Sequence, residues 1–180
     1  GSWVTTRLTT STADLDPAIA VDPLGEVHVA YGGNALGYLT DRRGYWTQQT
    51  ISAIRAGHPT ITLDANRRVH IAFEWDAALG YITDASGVSW KTTSITAAGA
   101  RPSIAVHGSA VHVAFSRKPG YTSGIFYATL GSTGWSNVNV YPRATYGKPS
   151  LRLDGTGKAH IAYEDDALEP NIEYATNATG

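Results

Sequence analysis

The sequence predicts an all-β chain folded as a β-propeller of four four-stranded blades, and three observations carry that expectation. Four landmarks recur in the same order at intervals of roughly 40–50 residues, the length of a blade. Short apolar segments alternate with turns rich in Gly, Asp, Asn and Pro, and no segment shows a helical period. The segments are apolar at most positions rather than strictly alternating, as expected of sheets covered on both faces by neighbouring sheets.

Each unit opens on a proline, at Pro17, Pro59, Pro102 and Pro149, followed by a first strand reading AIAVD, TITLD, SIAVH or SLRLD. The second strand carries a histidine, at His28, His70, His112 and His160, and ends on Tyr31, Phe73, Phe115 or Tyr163. A third strand is marked by Tyr38, Tyr81, Tyr127 and Tyr174. The fourth is marked by Trp46, Trp90 and Trp135, each followed five residues later by Ile51, Ile95 or Val140. Turns between them place repeats near residues 17, 59, 102 and 149 of a single domain spanning 1–180.

The ends are out of phase with the repeats. Trp3 and Leu8 match Trp46 and Ile51, so residues 3–8 read as a fourth, outer strand that precedes any first strand. Residues 149–176 supply the first three strands of a unit and stop. Pairing of the two ends would complete the last blade and close the ring, removing exposed strand edges. The alternative is pairing between chains, each copy forming half of a larger ring, so that monomer and head-to-tail homo-oligomer both remain open.

Composition narrows the function. A net charge of −1 with no Lys/Arg run longer than two argues against a nucleic-acid surface, and no apolar run reaches the ~20 residues of a membrane span. Without cysteine there are neither disulfides nor thiolate metal sites. The absence of methionine and the leading Gly-Ser read as a piece excised from a longer protein. Abundant Gly and Thr with 16% charged residues suit a secreted, extracellular domain.

The turns TDRRGYW (40–46) and TDASGVSW (83–90) have Thr-Asp, then Gly, then Trp before the outer strand. In this they resemble the Asp-box turns of secreted bacterial propeller repeats, the group of sialidases, other glycan-processing enzymes and propeller lectins. They carry one extra residue between Asp and Gly, and TLGSTGW (129–135) lacks the Asp. The resemblance implies the fold across the whole chain and a carbohydrate connection, but no particular activity.

An aspartate precedes the histidine by six residues in three units: Asp22/His28, Asp64/His70 and Asp154/His160. That spacing spans the hairpin between first and second strands, where a carboxylate can satisfy a buried imidazole. Four histidines in four different blades do not converge as metal ligands would. The histidine is expected to pin the fold, and neither metal nor cofactor is expected.

Function is better sought where the repeats disagree. On the end of a propeller that carries the loops into first strands and between second and third strands, the residue before each proline varies: Asp16, His58, Arg101, Lys148. The second-to-third loops vary as well, and EWDAA contains Trp75, a tryptophan outside the repeat, between Glu74 and Asp76. An aromatic ring beside carboxylates can stack on a sugar and bond its hydroxyls. The expected function is a non-catalytic binding module for a glycan or protein partner, with Glu74, Trp75, Asp76, Arg101, Tyr121, His58 and Lys148 as contacts. One alternative is a glycan-processing enzyme of the glycoside-hydrolase type using Glu74, Asp76, Glu164 and Asp165, with Asp166 adjacent. A purely structural, oligomerising domain is the other.

Overall fold

The computed structural model describes residues 1–84, 89–117, 123–143, 147–165 and 171–178. The described residues contain strands and turns but no helix. Blade one is β1 (Leu15–Val21), β2 (Val27–Gly32), β3 (Leu36–Thr40) and β4 (Thr47–Ser52). Blade two is β5 (Gly57–Leu63), β6 (Val69–Trp75), β7 (Ala78–Thr83) and β8 (Lys91–Thr96). Blade three is β9 (Ala100–His107), β10 (Ala110–Arg117), β11 (Gly124–Gly131) and β12 (Gly134–Tyr141). Blade four is β13 (Ser150–Leu153), β14 (Ala159–Glu164) and β15 (Ile172–Thr176). Every sheet is an antiparallel meander in chain order.

The same polar device fixes the first hairpin of blades one, two and four. The Asp22 carboxylate accepts the N–H groups of Leu24 and Glu26 at 2.8 and 2.9 Å. Asp64 does the same for Asn66 and Arg68, and Asp154 for Thr156 and Lys158. A second set ties third strand to second: Asp41, Asp84 and Asn177 accept the N–H of Val27, Val69 and Ala159. These side chains satisfy backbone donors that the turn leaves without a ladder partner.

Blades stack in succession, inner strand on inner strand, β1 on β5, β5 on β9 and β9 on β13. Three apolar clusters are therefore each shared by two blades. Ala30, Leu36 and Tyr38 of blade one meet Ile61, Ile71, Phe73 and Ile82 of blade two. Ala72, Leu79 and Tyr81 then meet Ile104, Val113 and Phe126 of blade three, and Ala114 and Ile125 meet Leu151 and Ile161 of blade four. Small residues on one side let the larger ones of the next blade close the gap, which is why both faces of a strand are apolar. Tyr38 meets Trp90 edge-on at 5.0 Å and Tyr81 meets Trp135 at 5.3 Å, so these repeat tyrosines and tryptophans are inter-blade packing.

The expected completion of blade four is not formed. Residues 3–8 adopt no strand, Trp3 is 99% exposed and the last sheet has three strands. Instead Leu8 packs on Val29, Tyr31 and Leu39, the face of blade one that no other blade covers. Closure of the ring, within the chain or between chains, is thus not shown. The nearest large apolar surface available to this segment is its own first blade, a few residues away, whereas the β15 edge lies at the far end of the arc.

Candidate functional site

Three residues before the repeat prolines take left-handed backbone angles: Asp16 at φ 51°, His58 at 44° and Arg101 at 50°. Each adjoins an irregularity in the pairing of first and second strands, between Leu15 and Ala18, Gly57 and Thr60, and Ala114 and Ser116. A non-glycine residue in this region is costly and persists only where surrounding contacts hold it. The twist turns these residues toward the same end of the stacked blades.

At that end Asp16, His58, Glu74 and Asp76 line one cleft of about 410 Å³, together with Asn34 and Arg55. Its base is a close backbone contact, in which Gly33 and Ala56 exchange hydrogen bonds of 2.8 and 3.1 Å. Only glycine fits there. A Cβ on Gly32 would stand 2.5 Å from the Ala56 carbonyl oxygen, and one on Gly33 2.0 Å from that of Ala13.

His58 joins two carboxylates. Its backbone N–H donates to Asp16 at 3.2 Å, and its ring Nδ1 lies 3.1 Å from Glu74 Oε1. The same Glu74 oxygen accepts the Arg101 backbone N–H at 2.6 Å. Glu74 is buried, whereas Asp16, His58 and Asp76 are exposed to the cleft. Asp76 takes a left-handed φ of 53° in the two-residue turn that joins β6 to β7.

The structure therefore gathers His58, Glu74 and Asp76, with Arg101 supporting Glu74 through its main chain. Glu74 and Trp75 are strand residues rather than loop residues, because the turn is only Asp76–Ala77. Strand alternation sends them to opposite faces. Glu74 faces Arg101, and Trp75 is partly buried in the blade-one side of the core, 6.5 Å from Phe73. Glu164 occupies in blade four the place of Glu74, next to Gly147, and is exposed; Lys148 beside it is exposed too. Asp165 is buried as a loop staple, accepting the Asn171 N–H and the Tyr141 hydroxyl. Neither Glu164 nor Asp165 lines the cleft. Tyr121 and Asp166 lie outside the described residues. The residue missed as a site candidate is Asp16. Its only signal was the variable position before the proline, and its partner is a backbone N–H 42 residues away, which no motif encodes.

The repeat histidines have a closer partner than the expected aspartates. Their Nδ1 atoms lie 2.5–2.6 Å from Tyr38, Tyr81, Tyr127 and Tyr174 hydroxyls, one pair per blade. The aspartates stand further off, 3.9, 3.7 and 3.5 Å from Nε2 of His28, His70 and His160. Burial lowers the pKa of His28, His70 and His112 and pushes Tyr38 and Tyr81 up to about 12. Asp22, Glu26 and His28 are close enough together to suit a cation, but Arg67 of blade two holds both carboxylates. Burial raises the Asp22 pKa, and the Arg67 guanidinium with the Leu24 N–H outweighs it, so the net shift is downward.

No protein-family profile and no curated protein matches the sequence. Solved structures do match the fold. The α-L-arabinanase of Penicillium chrysogenum complexed with arabinobiose superposes with a TM-score of 0.62 and 13% identity, over 91% of this chain and 62% of that one. The α-L-arabinofuranosidase of Podospora anserina in complex with cellotriose gives 0.57 and 12%, over 91% and 63%. A leech intramolecular trans-sialidase gives 0.52 and 14%, over 84% and 28%. The chain thus spans under two thirds of the length of these propeller proteins. The expectation of a non-catalytic binding module is corrected by this company. Among the neighbours are α-L-arabinofuranosidases, an α-L-arabinanase and a β-1,3-galactosidase, company that favours the glycan-processing alternative and takes away the support for a leaning against an enzyme.

Proposed function

We propose that the chain is a glycoside-hydrolase-type propeller unit whose cleft between blades one and two binds a glycan and acts on its glycosidic bond. The observation that carries this reading is the placement of Asp16 and Glu74 on either side of one residue, His58, at the axial end. Hydrolysis of a glycoside needs two carboxyl groups about 5–9.5 Å apart, one to protonate the leaving oxygen and one to attack or to activate water. Both carboxylates contact one residue, His58, and Asp76 adds a third carboxylate to the lining of the same cleft. Arg55 and Asn34 offer donors to sugar hydroxyls. The fold likeness supports the same reading.

Finer attributes belong to this proposal. Secretion fits a substrate found outside the cell, and the two uncovered blade faces fit a ring that closes by joining blade four to blade one. The decisive experiment incubates the purified protein with arabinan, arabinoxylan and aryl α-L-arabinofuranosides and measures reducing ends. Glu74→Gln and Asp16→Asn should each lower kcat by about 100-fold or more, with the melting temperature of Asp16→Asn unchanged. Turnover that survives both substitutions removes the cleft from the chemistry.

A further inference from the structure

The hairpin between first and second strands is built alike in blades one and two, yet what faces it differs. In blade one, Asp22 gives Oδ1 to the Leu24 and Glu26 N–H groups, and its Oδ2 accepts the Arg67 Nε–H at 2.5 Å. Arg67 reaches there from the equivalent hairpin of blade two, where it holds a left-handed position at φ 63°. In blade two, Asp64 likewise gives Oδ1 to the N–H groups of Asn66 and Arg68. The hairpin that faces it, in blade three, is one residue shorter and turns through Gly108 and Ser109 alone. Its left-handed residue is Gly108, at φ 59°, so no side chain extends from that position toward Asp64.

A cavity of about 430 Å³ is left between blades two and three. On its deep wall Asp64 Oδ2 lies 3.7 Å from His70 Nε2, too far for a hydrogen bond. Nε2 has no hydrogen-bond partner, although the His70 side chain is only 7% exposed. A buried polar atom in that state marks the place of a missing partner. Nδ1 is already taken, 2.6 Å from the Tyr81 hydroxyl. With that hydroxyl donating, Nε2 carries the ring proton and Oδ2 is an acceptor beside it. One hydroxyl group set between them accepts from the first and donates to the second.

The remaining lining adds an anion requirement. Ser109 and Ser132 of blade three bring further hydroxyls, and Leu130 an apolar wall. Arg68 and Lys91 line the mouth and are exposed, and among the described residues neither forms an ion pair. Two cations stand against the single carboxylate of Asp64. We infer that this inter-blade cavity binds a sugar acid of the uronic type, with a ring hydroxyl between Asp64 and His70 and its carboxylate on Arg68 and Lys91. A simple anion would leave the Asp64–His70 wall unserved, and a neutral sugar would leave the two cations unbalanced. Between blades one and two the same place is taken, because Arg67 already occupies Asp22. The inference stands apart from the glycosidase reading. The cavity lies at the end of the blades that carries the first-to-second hairpins, opposite the cleft of Asp16, His58 and Glu74.

Titration of the full chain with galacturonic acid tests it, read by calorimetry and by the amide shifts of Ser109 and Ser132. Galacturonate should bind about tenfold or more tighter than either galactose or acetate. Lys91→Gln and Arg68→Gln change exposed side chains, so the melting temperature should hold while affinity for galacturonate falls several-fold in each. Galactose binding as tightly as galacturonate removes the anion contact, and acetate binding as tightly removes the hydroxyl contact; either result overturns the proposal. So does a lack of any shift at Ser109 and Ser132 with millimolar galacturonate. Trigalacturonate separates the two sources of such a group, and both of its outcomes support the proposal: tighter binding than the monosaccharide marks a residue within a polysaccharide, and binding no tighter marks a free sugar acid. Glu74→Gln should bind galacturonate as the native chain does, which keeps the result independent of whether the cleft hydrolyses anything.

Discussion

The ring of His58 lies 3.1 Å from the carboxylate of Glu74 while its own main chain holds Asp16. The two functions of this residue separate on mutation. His58→Ala keeps the backbone donor to Asp16 and removes the ring from Glu74. Because the side chain is half exposed, the melting temperature should hold, and kcat on an active substrate should fall on the order of tenfold or more. Steady-state kinetics beside a melting curve check this, and an unchanged kcat would show that the ring plays no part.

The His70–Tyr81 pair tests the role of the repeat histidine. Both groups are buried and 2.6 Å apart. Tyr81→Phe removes one partner and leaves the imidazole without its bond, so unfolding free energy should drop by about 1–3 kcal/mol. The matching pair His160–Tyr174 is much more exposed. Tyr174→Phe should therefore cost less, which urea denaturation of the two variants will compare.

Acid should destabilise the protein through the same histidines. Burial holds His28, His70 and His112 below the ordinary imidazole value of 6.5. Below that value the unfolded chain takes up protons that the folded one refuses, so stability rises with pH through this range. Their neutral forms contribute fully above about pH 6.5, and the contribution is lost as pH falls toward the folded values. The melting temperature should decline between about pH 7 and pH 5, and His70→Asn should flatten part of the slope. A slope identical in the variant would place the acid sensitivity elsewhere.

Gly80 lies beneath the ring of Phe73. A Cβ there would come within 2.6 Å of Phe73 Cζ, and the equivalent Gly37 faces Tyr31 in the same way. Gly80→Ala should cost about 1–3 kcal/mol by forcing the buried ring aside. Gly155 has open space around its α-carbon, so Gly155→Ala serves as the neutral control in the same denaturation series.

Repetition made the fold legible. A proline, a histidine and two aromatics returning at one spacing state that four units share one environment, and packing is the only demand that returns so regularly. The strand order and the inter-blade place of Tyr38, Tyr81, Trp90 and Trp135 followed from that. Glu74 and Asp76 were also legible, as departures from the repeat that packing does not require. The sequence could not show that Asp16 belongs with them, because its contact is to a backbone N–H of the next blade. Nor could it show that Trp75 turns away from Glu74: that depended on a turn of only two residues, which keeps both in the strand where neighbours face opposite sides. The histidine partner was decided the same way. Six residues separate each histidine from an aspartate in the chain, but the tyrosine of the third strand comes closer once the strands pair. The ends show the limit most clearly. Residues 3–8 have the pattern of an outer strand, yet a strand exists only where another edge is within reach, and here Leu8 finds the open face of its own first blade.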